Sequence, residues 1–385
     1  MDSWTVPRFP PIPPDAAKDF QGKIVIVGAG VAGLFAANTL KFLGIEDFIV
    51  LEAGETFGGR LKSAFDFHED VPLELGAEWI HASNGDVVKD MLVFPVDEGL
   101  EASEFIKYQP KWFFGSSRSR VLGCLYQETK WKRTTWLQWL ERYVYRHVQD
   151  KVQFNAVVKE VAYGEDNGVR LLMEDGAELW AAKVICTIPL SILKLDAVKF
   201  DPALPMQMRK AIDSVGMLPG FRVLLAMKEK FYPDVTIDGG RFDLLKNQDQ
   251  VCAVYDALYG KELSDKQNVL AVVAIGDKYC KDLIHLDDES LAKAALGIVD
   301  RLFKGQGTLN YIKHRVQNWS LEPYVLGAYS VGGASHERKE LGKTINGRML
   351  FAGEHTCVNF HSLVPGAALE GRRAAVEAVS GRIMS

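Results

Sequence analysis

The sequence predicts an α/β protein, and three observations at its start support that prediction. A short apolar run rich in β-branched residues at 23–27 leads directly into a group of glycines. Apolar residues then recur at helical spacing over 31–43, and a second apolar run follows at 48–51. A strand, a glycine turn, a helix and a second strand within about 30 residues form a βαβ unit, which is typical of a buried parallel sheet.

Length and composition restrict the class of protein further. The 385 residues include 45 Lys and Arg against 50 Asp and Glu, so the formal net charge is −5 and gives no overall attraction to nucleic acid. Hydrophobic residues make up 48% and charged residues 25%, which excludes a disordered or low-complexity chain. The length allows roughly two domains. We therefore expect a globular protein that does not bind nucleic acid.

The cysteines, the histidines and the start of the chain exclude other classes. The five cysteines are odd in number and include no CxxC pair, so the sequence predicts neither a disulfide framework nor a zinc site, and the histidines show no metal spacing. The Pro-rich residues 1–15 lack the apolar run of a signal peptide, and no run is long enough to cross a bilayer. We expect a flexible lead-in, no membrane anchor, no metal and a cytoplasmic location.

The remaining elements follow from periodicity. An amphipathic helix is expected at 131–148, and 189–193 should leave the sheet formed by the strands before it. The other expected strands are 152–161, 169–173, 179–184, 221–227, 270–275 and 348–352, and the other expected helices are 289–303 and 365–380.

The glycine group after the first strand has a direct physical purpose. Gly28 permits a tight turn, Gly30 lets backbone N–H groups approach a pyrophosphate, and Gly33 lets the helix lie close to the strand. Glu52 follows Gly33 by 19 residues, where its carboxylate would accept hydrogen bonds from an adenosine ribose. Together these features predict a dinucleotide site.

A second glycine pair with a cation, Gly58-Gly59-Arg60, indicates an extended cofactor that a nicotinamide dinucleotide does not require. From here the sequence resembles the flavin-dependent amine oxidase family, which includes monoamine oxidases, polyamine oxidases and lysine-specific histone demethylases. The resemblance is closest in character to polyamine oxidases. The matching blocks occur in the family's order and frame most of the chain, at 28–33, 52–53, 58–63, 75–81, 351–356 and 366–371.

The resemblance implies FAD as the cofactor and assigns the residues around it. The pyrophosphate side would be held by Gly28, Gly30, Gly33, Gly59 and Arg60, the ribose by Glu52, the adenine edge by the Val158 backbone, and the ribityl or pyrophosphate region by Glu354. Val364 would lie at the positive end of the last helix, which would face the flavin N1/C2 carbonyl. The alternative is that this helix of small residues only packs on the sheet. Monoamine oxidases attach the flavin through a cysteine where this chain has Ala328, so noncovalent FAD is expected.

The resemblance also implies the reaction, oxidation of a C–N bond by hydride transfer to flavin N5. Tyr329 matches one of two aromatic walls that flank the amine, although it could instead be a half-buried strand tyrosine. Leu363 stands at the second wall, which leaves half an aromatic cage. Arg222 replaces the lysine that the family hydrogen-bonds through water to N5, which puts oxygen reactivity in question. Catalytic roles are therefore assigned to Arg222, Tyr329 and Leu363.

Two polar residues near the cofactor are candidates for binding substrate. Glu78 and His81 occupy an otherwise apolar stretch beside Gly76-Ala77 and would bind the distal nitrogens of a polyamine, unless His81 is a satisfied core histidine. This block is more similar to polyamine oxidases than to L-amino-acid oxidases, which place an arginine for the substrate carboxylate near this point.

The segment that follows is short for the family and rich in tryptophan and cations. It includes Trp112, Trp131, Trp136 and Trp139 with Lys111, Lys130, Lys132 and Arg133. Stacking aromatics and cations are typical of single-stranded nucleic-acid sites. We expect instead a helix that packs its tryptophans inward and leaves its charges in solvent.

The predicted architecture is a Rossmann-type FAD-binding domain assembled from N- and C-terminal segments, with an interleaved mixed α/β substrate domain. The lead-in occupies 1–21, the cofactor domain 22–86, 151–200 and 335–385, and the substrate domain 87–150 and 201–334. The predicted activity is oxidation of a polyamine or related secondary amine to an imine and then an aldehyde, with O2 as acceptor and H2O2 as product, in a chain that could form a homo-oligomer. The alternatives are a flavin dehydrogenase or desaturase, an L-amino-acid oxidase, or a catalytically poor FAD-binding scaffold.

Overall fold

The computed structural model of the protein describes residues 9–80, 86–94, 105–108, 128–164, 168–232, 235–237, 251–261, 263 and 267–381. The strands are β1 (Ile24–Val27), β2 (Phe48–Leu51), β3 (Ser63–Ala64), β4 (Leu73–Glu74), β5 (Trp79–Ile80), β6 (Phe105–Tyr108), β7 (Glu128–Trp131), β8 (Val152–Gln153), β9 (Val158–Ala162), β10 (Val169–Met173), β11 (Glu178–Ala181), β12 (Lys183–Cys186), β13 (Lys199–Asp201), β14 (Gly216–Met217), β15 (Gly220–Met227), β16 (Val235–Ile237), β17 (Val251–Asp256), β18 (Asn268–Ile275), β19 (Tyr311–Asn318), β20 (Ser330–Val331) and β21 (Met349–Phe351).

The α-helices in the described residues are α1 (Val31–Phe42), α2 (Asp86–Asp90), α3 (Trp136–Tyr143), α4 (Leu190–Lys194), α5 (Met206–Ser214), α6 (Asp277–Cys280), α7 (Asp288–Phe303), α8 (Gln306–Asn310), α9 (Ser335–Leu341) and α10 (Val364–Ser380). Short 3₁₀ turns occur at Tyr145–His147, Gln149–Lys151 and Glu354–Thr356. No helix in the described part of the chain is long and apolar enough to cross a membrane.

A five-stranded parallel sheet forms the cofactor domain, in the order β21-β12-β1-β2-β8. All four residues of β1 are buried, as expected of a central parallel strand covered on both faces. The edge strands of the sheet are β21, from the C-terminal part of the chain, and β8, from the middle, whereas the interior strands β1 and β2 come from the N-terminal part. The predicted α/β fold, with a Rossmann-type sheet built from N- and C-terminal segments, is confirmed.

The first and last long helices pack directly on each other. A Cβ added at Gly371 would lie 2.0 Å from the carbonyl oxygen of Ala32, so only glycine allows this approach. Ala32 is in the first turn of α1, whereas Gly371 is seven residues into α10. The beginning of α10 therefore lies about 10 Å along that helix from the contact.

The predicted strand at 179–184 is wrong as one element, because the chain changes sheets within it. β11 completes a four-stranded sheet of order β11-β10-β9-β13, whereas β12 joins the parallel sheet. Ala182 separates the two strands and donates its N–H to the Lys23 carbonyl, 2.8 Å away. Two of the four residues of β11 are exposed, whereas three of the four residues of β12 are buried.

The predicted strand at 152–161 is also interrupted. β8 and β9 are separated by a turn in which Asn155 has φ 54° and donates its N–H to the Gly54 carbonyl at 3.0 Å. Asparagine tolerates this left-handed conformation better than most residues.

The predicted helix at 131–148 is shorter than expected. Trp131 ends strand β7, which pairs with both β5 and β6. Thr135 then caps α3, since its side chain accepts a hydrogen bond from the Gln138 N–H. Trp131, Trp136 and Trp139 are buried as expected, but Lys130 is only 1% exposed, so the prediction that the charges lie in solvent is wrong for Lys130. Trp112 and Lys111 lie outside the described residues.

A second five-stranded sheet is antiparallel, in the order β16-β17-β18-β15-β19. All eight residues of β15 are buried because it lies between β18 and β19 in the sheet. Helix α7 covers one face with Leu291, Ala292, Ala295, Ile298 and Val299. Arg222 is thus a charged residue inside a fully buried strand.

The described part of the N-terminal lead-in contacts the last helix. Arg372 donates to the Pro10 carbonyl at 2.8 Å, and its guanidinium lies 5.7 Å from the centroid of the Phe9 ring. This contact joins residues near the two ends of the chain.

Candidate active site

The turn between β1 and α1 has the geometry of an anion site. Gly30 precedes the helix without a side-chain cap, and the first turn holds no acidic residue, so its backbone N–H groups meet no competing carboxylate. A Cβ at Gly33 would lie 1.8 Å from the Gly28 oxygen, which explains the close contact of helix and strand. Gly30 and Gly59 face each other, since a Cβ at Gly59 would lie 3.3 Å from the Gly30 Cα. These backbones leave a surface without side chains, as a pyrophosphate requires.

Glu52 lies beside this turn at the end of β2. Its two carboxylate oxygens accept the N–H groups of Ala29 at 2.6 Å and Gly54 at 2.8 Å. The Glu52 carbonyl accepts the N–H of Ala156, two residues before Val158 begins β9. The structure therefore places Glu52 and Val158 in one region next to the glycine turn, which fits the adenosine half of a dinucleotide.

Arg60 and Glu354 form the centre of the next region. Their side chains make an ion pair at 2.9 Å, and Arg60 also donates to the Ala328 carbonyl at 3.0 Å. Glu354 accepts further hydrogen bonds from Ser330 and from the Ser362 N–H. Burial raises the pKa of Glu354, but the charge of Arg60 and these hydrogen bonds outweigh burial and lower it to about 2. Glu354 is therefore a carboxylate at neutral pH.

The two expected walls of the amine site lie next to this region. Tyr329 precedes Ser330, and Leu363 follows Ser362, whose hydroxyl donates to the Ser330 carbonyl. Both Tyr329 and Leu363 are half-buried. The structure thus brings them together from positions 34 residues apart, with Val364 beginning α10 beside them. Their contacts with a flavin or an amine remain a prediction.

The segment around Gly76 packs flush against the Arg60 backbone. A Cβ at Gly76 would lie 1.9 Å from the Arg60 oxygen, and the Trp319 indole donates to the Leu75 carbonyl at 3.0 Å. The residues present fit FAD. The start of α1 has no side-chain cap and lies at glycines that leave room for a pyrophosphate. Glu52 lies at one end of this region, and the start of α10 at Val364, which also has no side-chain cap, lies at the other end. No cysteine stands at position 328.

Arg222 and Glu78 meet in a buried cluster beyond this segment. Arg222 donates to the Glu78 carboxylate at 3.1 Å and to the Glu74 carbonyl at 2.7 Å, and the Tyr255 hydroxyl donates to the same Glu78 oxygen at 2.5 Å. Burial raises the pKa of Glu78, but the charges of Lys130 and Arg222 outweigh burial and hold it below its usual value. Glu78 is therefore already ionised and paired. His81 lies outside the described residues.

Lys130 completes this cluster and was not assigned a site role from the sequence. Its ammonium lies 3.5 Å from the other Glu78 oxygen, 5.6 Å from the Trp79 ring centroid and 6.0 Å from the Tyr259 ring centroid. Lys130 stands directly opposite Trp79 in the β5–β7 ladder. The contact between Lys130 and Trp79 depends on the pairing of two strands whose residues are 51 positions apart, so the local sequence does not indicate it.

Glu74 lines a small cavity next to the cluster, and Glu78 borders the same cavity. One carboxyl oxygen accepts the Trp136 N–H at 2.6 Å, while the other has no hydrogen-bond partner among the described residues. Burial raises the pKa of Glu74 to about 8, and burial lowers that of nearby Lys261 to about 8. The cavity also borders Lys130 and Thr134, and its volume of about 10 Å³ suits one water molecule.

Comparison with known protein families identifies two regions of the chain. Residues 137–379 match the flavin containing amine oxidoreductase family, and residues 26–93 match the NAD(P)-binding Rossmann-like domain. The first match covers more than half of the chain.

Individual relatives are distant but extend over most of this chain. Lysine-specific histone demethylase 2 of Homo sapiens is 23% identical over 93% of this chain and 53% of its own length. Polyamine oxidase 1 of Zea mays is 23% identical over 91% of this chain and 88% of its own. The chain thus spans about half the length of the demethylase.

Solved structures share the fold at lower sequence identity. Cyclohexylamine oxidase from Brevibacterium oxydans superposes with a TM-score of 0.73 at 14% identity, covering 94% of this chain and 99% of that one. A redesigned putrescine oxidase gives a TM-score of 0.70 at 16% identity over the same shares. With the family match and a cleft that fits the cofactor, the chain belongs to the flavin containing amine oxidoreductase family and binds FAD noncovalently.

Proposed function

We propose that this chain is an FAD-dependent amine oxidase that oxidises a C–N bond of a polyamine or related secondary amine. The product would be an imine that hydrolyses to an aldehyde, and O2 would be the electron acceptor. When bound, FAD supplies the redox chemistry by accepting the equivalent of a hydride from the carbon beside the amine nitrogen. The protein's contribution is to bind, orient and desolvate the amine.

The observation that supports an amine substrate is the position of the half-buried Tyr329 and Leu363 beside the Arg60–Glu354 pair. The surroundings of Lys130 add that this part of the fold accommodates an alkylammonium group, here that of the protein's own side chain. On the substrate side of the cofactor cleft, one carboxylate and two aromatic rings surround a primary alkylammonium group. A carboxylate with aromatic faces is the arrangement by which proteins bind ammonium groups of ligands. Trp79, which supplies one ring, lies three residues from Gly76 on the wall of the cleft.

Tyr329 and Leu363 would position the reacting amine. A neutral amine is needed, since an ammonium nitrogen has no lone pair to stabilise the developing imine. Half-buried aromatic and apolar walls favour the neutral form, because desolvation lowers the pKa of an amine. In this proposal Tyr329 orients the amine against the cofactor, and Leu363 excludes water on the opposite side.

The state of Arg222 favours an amine over an amino acid as substrate. An amino-acid oxidase needs a cation for the substrate carboxylate, and Arg222 is the arginine that lies beside Glu78. Its guanidinium is buried and donates to Glu78 and to the Glu74 carbonyl. A second carboxylate bound there would lie next to the buried Glu78 carboxylate, and repulsion between the two negative charges would oppose its binding.

The experiment is an anaerobic panel of amines and amino acids mixed with the purified holoenzyme, monitored by flavin absorbance. We expect spermine, acetylated spermine or simpler secondary amines to bleach the oxidised flavin band, and amino acids to leave it unchanged. Peroxide release in air then tests O2 as acceptor. Bleaching by amino acids alone would favour the amino-acid oxidase, and a flavin that no compound bleaches would favour a scaffold role.

A further inference from the structure

Lys130 is the most unusual charge in the described part of the molecule. Its side chain is 1% exposed, although an isolated lysine ammonium is costly to bury. It projects from β7 into the cluster that holds Arg222, and it lies opposite Trp79. A buried ammonium in this position needs the compensation that Glu78 and the two rings supply.

Glu78 does not depend on Lys130 for its own pairing. Its Oε2 accepts from Arg222 at 3.1 Å and from Tyr255 at 2.5 Å, whereas Lys130 approaches Oε1 at 3.5 Å. Removing the Lys130 ammonium therefore leaves Glu78 held in place by its hydrogen bonds with Arg222 and Tyr255. The space vacated would keep a carboxylate oxygen on one side and the Trp79 and Tyr259 rings on the others.

We propose that Lys130 fills, with its own ammonium, a subsite that would otherwise bind a second cationic nitrogen of the substrate. Lys130 is then a specificity-determining residue. It directs the enzyme towards amines that carry no cation at this distance from the oxidised bond, and its removal admits diamines. This inference rests on the proposed function and narrows its substrate class.

The test uses Lys130→Ala holoenzyme, in which the lost atoms correspond to propylammonium. We expect propylammonium chloride at millimolar concentration to raise the melting temperature of Lys130→Ala but not of the parent protein. The neutral isostere 1-propanol should give at most a small shift. Lys132→Ala, a partly exposed lysine two residues along the same segment, is the matched control and should respond as the parent does.

Specificity is tested with N-methylputrescine and N-methylbutylamine, which differ by one terminal ammonium. We expect the preference for the diamine in anaerobic flavin bleaching to rise at least about tenfold in Lys130→Ala, the size expected for one desolvated ammonium contact. Lys132→Ala should leave the preference unchanged.

Equal shifts with propylammonium and 1-propanol, or an unchanged amine preference, would overturn the proposal. If Lys130→Ala does not fold alone, expression with propylammonium should restore FAD retention and expression with 1-propanol should not. Rescue by neither compound would also overturn it. If no amine bleaches the flavin in any variant, the proposed function fails, while the propylammonium measurement still decides whether the subsite exists.

Discussion

Arg60 and Glu354 are 294 positions apart in the chain, and their side chains form an ion pair at 2.9 Å beside the cofactor cleft. Glu354 is 4% exposed and also accepts hydrogen bonds from Ser330 and Ser362. One buried carboxylate thus joins the second glycine motif, the strand after Tyr329 and the segment before α10. Its ionisation state should control how well these three parts stay together.

We expect Glu354 to stabilise the fold in a pH-dependent way. Its pKa is lowered from 4.5 to about 2 in the folded protein, so its stabilisation is present above pH 4.5 and is lost as pH falls towards 2. This shift corresponds to about 3 kcal/mol in the free energy of unfolding. Urea denaturation of the parent and Glu354→Gln holoenzymes measures the difference between their free energies of unfolding. We expect this difference to become smaller as pH falls from 4.5 towards 2. A difference that does not depend on pH would contradict the prediction.

Glu74 should act with the opposite sign. Burial raises its pKa from 4.5 to about 8, so it is protonated in the fold at neutral pH and opposes folding increasingly as pH rises from 4.5 to about 8. Glu74→Gln keeps an oxygen that can accept the Trp136 N–H but cannot ionise. We expect the free energy of unfolding of Glu74→Gln to increase relative to that of the parent protein as pH rises over this range. A constant difference between the two proteins would show that Glu74 is ionised throughout.

The contact between α1 and α10 should not tolerate a side chain. In Gly371→Ala the new Cβ would lie 2.0 Å from the Ala32 oxygen, so the helices must separate, at a cost of about 1–3 kcal/mol in stability and with weaker FAD retention. Gly297→Ala in α7 is the control, because its nearest neighbour is an Arg301 nitrogen at 3.8 Å. That variant should gain up to about 1 kcal/mol. Thermal denaturation with flavin-release fluorescence distinguishes the two, and equal behaviour would be evidence against close packing at Gly371.

Tyr329→Ala should slow flavin reduction by amines more than it weakens FAD binding, because Tyr329 is proposed to contact the substrate. We expect the anaerobic reduction rate to fall at least about tenfold, as misplacement of a reactant commonly causes. The FAD dissociation constant should change less. Tyr329→Phe keeps the aromatic face and should retain most of the rate. Equal loss of reduction rate and FAD affinity would assign Tyr329 to the cofactor instead.

Arg222→Lys should raise the rate at which O2 reoxidises the reduced flavin, because the resemblance to flavin-dependent amine oxidases implies a lysine near flavin N5 at this position. Lysine is a compact, mobile donor, whereas the planar guanidinium of Arg222 is held by Glu78 and the Glu74 carbonyl. Stopped-flow mixing of reduced enzyme with oxygenated buffer measures this rate, and Arg222→Met separates the effect of charge from that of shape. Reoxidation of Arg222→Lys no faster than the parent would refute the assignment.

Periodicity was sufficient where one element belongs to one sheet or one helix. Strands 48–51 and 169–173 have the predicted bounds, and α7 begins one residue earlier than expected. It failed at 179–184, because a change of sheet at Ala182 depends on the distant Lys23 carbonyl and leaves no break in the apolar pattern.

The cofactor side of the site could be anticipated from glycine spacing, because backbone approach limits the choice of residue. The charge cluster could not. Lysine side chains are usually exposed to solvent, so the sequence predicts an exposed Lys130. The burial of Lys130 depends on Glu78, Trp79 and Tyr259, which come from two other parts of the chain. The residues next to Lys130 in the sequence do not reveal that a distant carboxylate and two aromatic rings offset the cost of burying its charge.

The order of strands in the parallel sheet has a consequence during synthesis. β21, at 349–351, is the edge strand beside β12, and α10 follows it. A nascent chain on the ribosome therefore exposes one side of β12 until residues 349–351 have emerged. A chain that stops before α10 lacks the helix that packs on α1 and should not retain flavin.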